Sequence, residues 1–383
     1  MGRLLSYTTT AGLTPAPYVP DEPMTVTRLD ITHRHGAYPV LIGAGLTTQL
    51  GRLLAEQHLL AETVVVSCPP VWRLHGERLS DVLGNQKPLV MADGEKAKHL
   101  TTVSRLYDGM VKRRLDRSAV VVAFGGGVVG DAAGFAAATY LRGVRLVQVP
   151  TTLLSQVDSA IGGKVGVNLP AGKNLVGAFH PPSLVVCDPD VLSTLPRREF
   201  RAGLYEAIKS GVIASRPLFE HIATSLPAIF TRDAAVLTPL IAGCCRIKAD
   251  VVVGDEFERG PRRVLNFGHT VGHALESISK YGRFLHGEAV GYGMLAAAAL
   301  SAGRGLFPES DLEALQTVIG HMGPLPATTD LKAADALDAM LSDKKVSRGT
   351  LHFVLPVRIG ATTIVDDVTQ KELRAALEAI GIR

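Results

Sequence analysis

The chain has 383 residues, 46% of them hydrophobic and 20% charged, with a formal net charge of +4. This length predicts two or three domains, and the ordinary apolar fraction excludes disorder of the chain as a whole. Because the 40 basic and 36 acidic residues form no dense basic block, nucleic acid is not expected as a partner. The longest charge-free apolar run, 289–303, is too short to span a bilayer, so no membrane association is expected.

The cysteines and the N-terminal sequence indicate the cellular compartment of the protein. No two cysteines form a CxxC pair, and Cys244 and Cys245 are adjacent in a helical pattern, where a disulfide framework is not expected. The N-terminus lacks a basic segment followed by a continuous apolar core, which is the mark of a secretory signal. We therefore expect a cytoplasmic protein in a reducing compartment.

The N-terminal half alternates short apolar runs with helical patterns. Residues 1–23, rich in proline and threonine, are predicted to be a disordered tail. Strands are then predicted over 63–67 and 119–124, with a helix over 100–114 between them. This alternation predicts an α/β fold with a parallel sheet, a Rossmann-like nucleotide-binding domain over residues 24–195.

After Pro196 the pattern changes to long helices with few candidate strands. An all-α domain is predicted over 196–383, with the domain boundary near residue 195. A strand-like run at 351–355 and a terminal helix from Gln370 complete it. The long helical patterns cover 197–214, 233–252, 265–281 and 287–303.

A glycine-rich loop follows the second predicted strand. Gly125, Gly127 and Gly130 match the GxGxxG pattern in the strand-to-helix position that dinucleotide binding requires. Glycines let the backbone approach phosphate oxygens, and a helix N-terminus favours negative charge. A tight turn with close helix–sheet packing would give the same pattern, and no acidic residue lies between Asp131 and Asp158 to hold a ribose. We favour a dinucleotide whose ribose is held from elsewhere.

A second polar segment, residues 151–174, combines lysines with glycines and small side chains. Such a combination predicts a pocket for an anion. An irregular surface loop is the alternative, but apolar residues such as Leu153 and Ile161 argue against it. The polar members are Thr151, Thr152, Asp158, Gly162, Gly163, Lys164, Asn168, Lys173 and Asn174.

Three histidines and a glutamate predict a metal site. His269 and His273 lie four residues apart on one face of a predicted helix, His286 follows them, and Glu206 lies on an earlier predicted helix. Imidazoles with one carboxylate suit Zn²⁺, and three protein ligands with an open position are the catalytic arrangement. The pattern is not HExxH, because Thr270 occupies the position of the glutamate. The spacing does not determine which two of the three histidines bind.

Basic residues in the C-terminal half predict a substrate that carries phosphate or carboxylate. Each of them alone is an ordinary solvated charge, but together with a metal site they suit a polyanion. The second domain is therefore predicted to bind metal and substrate. The basic residues are Lys248, Arg262, Arg263, Lys344 and Lys345.

From about residue 25 onward the chain resembles the 3-dehydroquinate synthases, a family of sugar-phosphate cyclases. The resemblance implies a two-domain lyase that uses NAD⁺ catalytically and binds Zn²⁺ or Co²⁺. It implies conversion of 3-deoxy-D-arabino-heptulosonate 7-phosphate to 3-dehydroquinate and phosphate, the second step of the shikimate pathway. The matching blocks are Gly125–Gly134, Tyr140–Gly143, Val149–Asp158, Gly162–Lys164, Gly172–Asn174, Glu206–Lys209, Leu265–Glu276 and His286–Glu288.

The same resemblance implies roles for the motif residues. The metal ligands would be Glu206, His269 and His286, and the protein would be a homodimer in which Arg142 crosses the interface. The substrate would contact Arg142, Asp158, Lys164, Asn174, Lys209, Lys248, Arg262, Asn266, His273 and Lys344 or Lys345. NAD⁺ would lie against Asp93, Gly94, Glu95, Lys96, Lys98, Gly127, Val128, Val129, Gly130, Asp131, Thr151, Thr152, Lys164, Lys173 and Phe179.

Other interpretations of the same residues remain. Cyclases such as 2-epi-5-epi-valiolone synthase and 2-deoxy-scyllo-inosose synthase resemble this family in cofactor and metal handling and differ in the substrate pocket. A metal-dependent dehydrogenase of the glycerol dehydrogenase type would accumulate NADH, whereas a cyclase recycles it. A non-catalytic zinc protein would leave the lysines unexplained.

One residue departs from the family pattern: Tyr205 stands where a small residue usually precedes the glutamate.

Overall fold

A computed structural model of the chain describes residues 26–383 except 60, 85, 259 and 347–350; the side chains of residues 83 and 343–346 are also outside the description. The predicted N-terminal tail, 1–23, lies outside the described residues. The described chain forms two compact units. The sheet unit comprises the residues up to Phe200 together with Thr231–Glu256, and the helical unit comprises Arg201–Phe230 and Phe257–Arg383.

The described elements alternate in the sheet unit and are mostly helical in the other. The strands are β1 (Thr27–His33), β2 (Gly36–Ile42), β3 (Thr63–Ser67), β4 (Leu89–Val90), β5 (Val120–Gly125), β6 (Arg145–Pro150), β7 (Lys164–Leu169), β8 (Gly172–Phe179), β9 (Leu184–Cys187), β10 (Phe353–Arg358) and β11 (Ala361–Val365). The α-helices are α1 (Leu50–Glu56), α2 (Pro69–His75), α3 (Ser80–Leu83), α4 (Leu100–Lys112), α5 (Gly127–Thr139), α6 (Arg197–Ala214), α7 (Arg216–Phe230), α8 (Ala234–Gly254), α9 (His269–Ile278), α10 (His286–Gly303), α11 (Glu309–His321), α12 (Ala333–Val346) and α13 (Gln370–Ala379).

The main sheet has the order β1-β2-β9-β6-β5-β3-β4, parallel except for the β1–β2 hairpin at one edge. Its central strands are runs of valine because both faces of a parallel sheet are covered. Successive side chains alternate between two cores: Val121 and Ala123 face one, and Val120, Val122 and Phe124 face the other. The predicted fold class, a Rossmann-like α/β domain followed by a helical domain, is confirmed.

The strand order reverses between β3 and β5. After β3 the chain adds β4 on one side, and β5, β6 and β9 extend the sheet on the other. Ligands of open α/β sheets bind outside the carboxyl ends of the strands at such a reversal. At this point the Ser67 hydroxyl donates a hydrogen bond of 2.8 Å to the Phe124 carbonyl, which ties the two strand ends together.

Two predicted elements differ in the structure. The predicted helix 265–281 is interrupted at Gly268, whose left-handed backbone (φ +79°) separates a 3₁₀ turn, Pro261–Asn266, from α9. Helix α8, predicted to belong with the second domain, groups with the sheet unit. The reason is its packing on a π-helical turn, Ser155–Ser159, where the Cys245 thiol contacts the Gln156 carbonyl at 3.3 Å. The helical unit also contains a hairpin, β10–β11, so it is not entirely helical.

Glycines bring the helices of the helical unit into backbone contact. A Cβ on Gly287 of α10 would overlap the Ala202 carbonyl of α6, and one on Gly293 would overlap the Gly268 carbonyl that precedes α9. A Cβ on Gly272 of α9 would stand 3.1 Å from the Ala289 carbonyl oxygen. No side chain larger than hydrogen fits at the first two crossings. None of the helices in the described part of the chain combines the length and hydrophobicity needed to cross a bilayer.

We expect Gly293→Ala to lower the free energy of unfolding by about 3 kcal/mol, because the added methyl group forces two backbones apart. Gly303→Ala on the same helix is the matched control, since no described atom beyond its chain neighbours and its own helical backbone lies within 4 Å of the added Cβ. The control is expected to raise the stability by up to about 1 kcal/mol through the helix propensity of alanine. Urea denaturation measures the stability of both variants. Equal midpoints would contradict the close backbone contact at Gly293.

Candidate active site

Three loops at the carboxyl edge of the sheet carry most of the predicted cofactor residues. They follow β4, β5 and β6, which are parallel strands, and therefore meet at one edge. In the first loop Gly94 has φ +83°, and no described atom beyond its two chain neighbours lies within 4 Å of the position a Cβ would take. The first loop contains Asp93, Gly94, Glu95, Lys96 and Lys98, the second leads into the first turns of α5 with Gly127, Val128, Val129, Gly130 and Asp131, and the third contains Thr151 and Thr152.

The glycine loop joins β5 to α5 with little room to spare. A Cβ on Gly125 would stand 2.6 Å from a methyl group of Val129, and one on Gly130 would stand 2.9 Å from Gln148 Oε1. These two glycines therefore serve close packing of helix and sheet. Gly127 begins α5, where unpaired backbone N–H groups face out of the helix and suit an anion. Close helix–sheet packing thus accounts for Gly125 and Gly130, whereas an anion site at the helix N-terminus accounts for Gly127.

Lys98 is the buried centre of a polar network in the sheet unit, whose other members are exposed or partly buried. Its side chain is 5% exposed, forms an ion pair with Asp131 in the first turns of α5, and donates a 2.5 Å hydrogen bond to Asn174 Oδ1. Asn174 has a left-handed backbone (φ 55°), and its N–H donates to Asn168 Oδ1 at 2.8 Å. The Asn168 amide in turn donates to Glu95 at 2.6 Å. The network joins the 93–98 loop, the glycine helix and the β7–β8 hairpin.

The pKa of Asp131 is raised by burial, while the positive charge of Lys98 acts in the opposite direction. Lys98 therefore has a structural partner as well as the predicted role toward NAD⁺. Because it holds Asn174 by its amide oxygen, Lys98 couples a predicted cofactor residue to a predicted substrate residue.

A second acid–base pair in the sheet unit joins Asp158 to Lys248. Asp158 lies on the π-helical turn, and Lys248 of α8 reaches its carboxylate at 2.6 Å. A π-helical turn inside a protein commonly marks a functional site. The structure thus brings together two predicted substrate residues that are far apart in the sequence. Of the other predicted residues, Lys164 begins β7, Lys173 and Phe179 lie on β8, and Arg142 lies in an exposed turn after α5.

In the helical unit, Glu206 of α6 faces the first residues of α9 and α10. Its carboxylate is 1% exposed, and Oε1 stands 3.7 Å from His269 Nε2 and 3.6 Å from His286 Nε2. Two ligands about 2.1 Å from a tetrahedral metal are about 3.4 Å apart, close to these separations. His273 joins them: one ring nitrogen of each of the three histidines lies within 4.8 Å of the others.

The donor set fits a divalent cation. Glu206 Oε1 is buried and accepts no hydrogen bond among the described residues, while Oε2 pairs with Lys209. The charge of Lys209 thus lies at Oε2, and burial of Oε1 without a hydrogen bond is costly unless a second cation binds there. Both facing rings are held by their other nitrogen, His269 Nδ1 by the Phe267 carbonyl and His286 Nδ1 by the Glu276 carboxylate, each at 3.1 Å. Their Nε2 atoms are thereby directed at the open oxygen.

The charges of the site act differently on the two rings. Burial lowers the pKa of His269 well below its usual range, and Lys209 and the neighbouring histidines add to the effect. Burial also disfavours protonation of His286, but the hydrogen bond to Glu276 and the charge of Glu206 outweigh it, so its pKa is raised. His269 is therefore a neutral ring with a lone pair available to a metal.

The remaining predicted substrate residues of this unit surround the same helices. Lys209 lies one turn after Glu206, Arg262 is almost completely buried, and Asn266 donates to Glu258 at 3.3 Å. Tyr205, the departure from the family pattern, is buried against Gly291 of α10, where the absence of a side chain accommodates its ring. The side chains of Lys344 and Lys345 lie outside the described residues, and their roles stay predictions.

Sequence reasoning missed the partners of these residues. Glu276 is a buried acid on α9, three residues after His273 on the same face, and only that spacing could have suggested a link to the histidines. Glu258, which accepts from Asn266, is in a left-handed turn with no motif around it. Contacts of this kind depend on the tertiary structure.

The fold and the site together define a class of two-unit α/β proteins with a glycine loop in the sheet unit and a Glu–His cluster in the helical unit. Comparisons with known proteins agree with this class. The family model for the 3-dehydroquinate synthase N-terminal region matches residues 88–202, and that for the C-terminal region matches residues 203–346. The chain belongs to the 3-dehydroquinate synthase family, as the sequence motifs predicted.

Individual relatives cover nearly the whole chain. The chain is 44% identical to 3-dehydroquinate synthase of Nostoc punctiforme over 353 residues, 90% of this chain and 97% of the relative. The structure of 2-epi-5-epi-valiolone synthase from Streptomyces hygroscopicus, with NAD⁺ and Zn²⁺ bound, superposes with a TM-score of 0.82 at 31% identity and covers 91% and 98% of the two chains. That of 2-deoxy-scyllo-inosose synthase with carbaglucose-6-phosphate, NAD⁺ and Co²⁺ gives 0.80 at 26%, covering 92% and 99%.

We expect Lys98→Met to lower the free energy of unfolding by about 2 kcal/mol, because it leaves the partly buried Asp131 carboxylate without its cation. Lys96→Met is the matched control: its side chain is exposed in the same loop, and the expected change is below about 0.5 kcal/mol. Urea denaturation of both variants checks this. If Lys98→Met unfolds at the same midpoint as Lys96→Met, the ion pair does not stabilise the unit.

Proposed function

We propose that the chain is a 3-dehydroquinate synthase. It converts 3-deoxy-D-arabino-heptulosonate 7-phosphate to 3-dehydroquinate and phosphate, using NAD⁺ catalytically and one divalent metal, Zn²⁺ or Co²⁺. The observation that carries this proposal is the buried Glu206 oxygen with two histidine nitrogens directed at it, in a chain 44% identical to a 3-dehydroquinate synthase over 97% of that relative. The two cyclases with other activities are less similar to this chain: 2-epi-5-epi-valiolone synthase is 31% identical and 2-deoxy-scyllo-inosose synthase is 26% identical.

Glu206, His269 and His286 would hold the metal, and the three loops at the carboxyl edge of the sheet would hold NAD⁺. When bound, the metal supplies polarisation of a substrate hydroxyl, and NAD⁺ supplies a reversible hydride acceptor. With that hydroxyl oxidised to a ketone, the neighbouring C–H would be acidic enough for phosphate to be eliminated. Return of the hydride, ring opening and an intramolecular aldol step would then give the carbocycle.

The chain's own cations hold the substrate through these steps. Lys209, with its ammonium group against Glu206, lies next to the metal ligands and would contact the substrate there. The Lys248 ammonium, held by Asp158 at 2.6 Å, is fixed in one position before a ligand arrives. Fixed charges bind phosphate and carboxylate without reorganisation at the time of reaction. The other proposed substrate contacts are Arg142, Lys164, Asn174, Arg262, Asn266, His273 and Lys344 or Lys345.

We also propose a cytoplasmic homodimer. All four cysteines are free thiols and buried, which suits a reducing compartment. Arg142 is exposed in a turn where Leu141, Arg142 and Gly143 all have positive φ, and the Leu141 side chain is 40% exposed. A strained turn that presents a leucine and an arginine to solvent suits a contact with a second copy. Arg142 would then reach the substrate of the partner.

The proposed reaction is tested by phosphate release from 3-deoxy-D-arabino-heptulosonate 7-phosphate. Parallel assays use sedoheptulose 7-phosphate or glucose 6-phosphate as the substrate instead. We expect release from the first alone and no accumulation of NADH. Glu206→Gln should lower the rate about a thousandfold, because a metal supplies several kcal/mol of charge stabilisation. Glu220→Gln on the exposed face of α7 should leave it unchanged. Release only from another sugar phosphate, or net NADH formation, would contradict the proposal.

Mixing two inactive variants tests the role of Arg142. If Arg142 acts across the interface, a mixture of Arg142→Ala and Glu206→Gln chains forms heterodimers with one intact site. Random exchange of equal amounts should then restore roughly a quarter of the wild-type activity. Activity in the mixture that does not exceed the sum of the two separate variants would show that Arg142 acts within its own chain or not at all.

A further inference from the structure

We infer that Glu276 is a positioning residue of the metal site: its carboxylate holds the His286 ring in the orientation and tautomer that present Nε2 to the metal. This inference rests on the metal site of the proposed function. It concerns a residue to which the sequence motif attaches no role and which does not itself face the Glu206 oxygen.

The hydrogen bond between the two side chains is direct and buried. Glu276 is 6% exposed, and its Oε2 lies 3.1 Å from His286 Nδ1. The opposite ring nitrogen, Nε2, lies 3.6 Å from Glu206 Oε1. An ionised carboxylate only accepts hydrogen bonds, so the proton must be on Nδ1 when the ring is neutral. The lone pair is then on Nε2, where the metal would bind.

The position of Glu276 in the fold explains why His286 needs this support. His286 is the first residue of α10 and follows a connection in which Lys280 and Tyr281 both have left-handed backbones. Its ring is thus at the end of an irregular segment. Glu276 lies in the last turns of α9, on the face that also carries His269 and His273. The Glu276–His286 hydrogen bond therefore ties one ligand to the helix that carries another.

The two facing histidines use different supports. His269 Nδ1 is held by the Phe267 carbonyl, a backbone group of its own segment. His286 Nδ1 is held by a carboxylate from another helix, which also raises the basicity of the ring as a ligand. A carboxylate placed here for packing alone would be unfavourable, because burying a charged group costs more free energy than burying an amide or an alkyl group.

The test is metal binding, measured without turnover. Zn²⁺ affinity of the purified protein is determined by competition with a chromophoric chelator, and the Co²⁺ form is followed by its visible absorption. We expect Glu276→Gln, which keeps the shape and removes the charge, to weaken Zn²⁺ binding about 10-fold to 100-fold and to change the Co²⁺ spectrum. Asp311→Asn is the matched control: it alters another buried acid of the helical unit, which pairs with Arg216, and should leave the Zn²⁺ affinity unchanged.

A double-mutant cycle separates positioning from a general effect on the fold. In a His286→Ala background, Glu276→Gln should cause no further loss of Zn²⁺ affinity, because the ring it holds is absent. A loss of the same size in both backgrounds would overturn the inference. Equal Zn²⁺ affinity and equal Co²⁺ spectra of Glu276→Gln and the wild type would also overturn it.

A measurement on the wild type keeps the inference testable if the variant does not fold. Nitrogen-15 histidine NMR of the Zn²⁺ form, assigned with His286→Ala, should show the His286 proton on Nδ1. A proton on Nε2 would overturn the inference. Failure of the wild type to bind Zn²⁺ or Co²⁺ at all would instead contradict the metal site of the proposed function. If the wild type binds Zn²⁺ but is catalytically inactive, and Glu276→Gln binds Zn²⁺ more weakly, the inference on Glu276 is supported while the proposed reaction is contradicted.

Discussion

The candidate metal site depends on backbone-to-backbone contact between helices. Gly287 lets the start of α10 touch α6 at Ala202, one turn before Glu206, and Gly293 lets α10 touch the Gly268 carbonyl, next to His269. Each contact lies beside a predicted ligand. A single methyl group at either crossing would separate the helices and move the histidine nitrogens away from the glutamate oxygen. The 3.6 and 3.7 Å separations between the Glu206 oxygen and the two histidine nitrogens therefore depend on the glycines at these crossings as well as on the ligands.

Paired charges are the second recurring feature. Three lysines predicted to contact cofactor or substrate each have a carboxylate partner: Lys98 with Asp131, Lys209 with Glu206, and Lys248 with Asp158. Pairing holds a flexible side chain in one rotamer and lowers the cost of burying it. A bound anion or metal would then meet cations and carboxylates that are already oriented, which is the condition for electrostatic stabilisation.

Sequence patterns predicted the elements whose cause is local. Valine runs predicted β3 and β5, the glycines predicted the turn into α5, and the i,i+4 spacing of His269 and His273 placed both on one helical face. They did not predict the break at Gly268, since a left-handed glycine inside an apolar helical pattern is not visible as a stop. Nor did they predict that α8 packs with the sheet unit, because its apolar residues suit a core on either side of the boundary.

By itself the sequence determined which chemistry is available: a glycine loop after a buried strand, imidazoles with a carboxylate, and lysines among glycines. Residue type and short spacing suffice for this because backbone periodicity is local. The tertiary structure alone decided which groups meet. The Lys98–Asn174 and Lys248–Asp158 contacts join residues 76 and 90 positions apart, and the hydrogen bond from His286 to Glu276 crosses between two helices. Such contacts depend on how whole elements pack, and no local pattern encodes that.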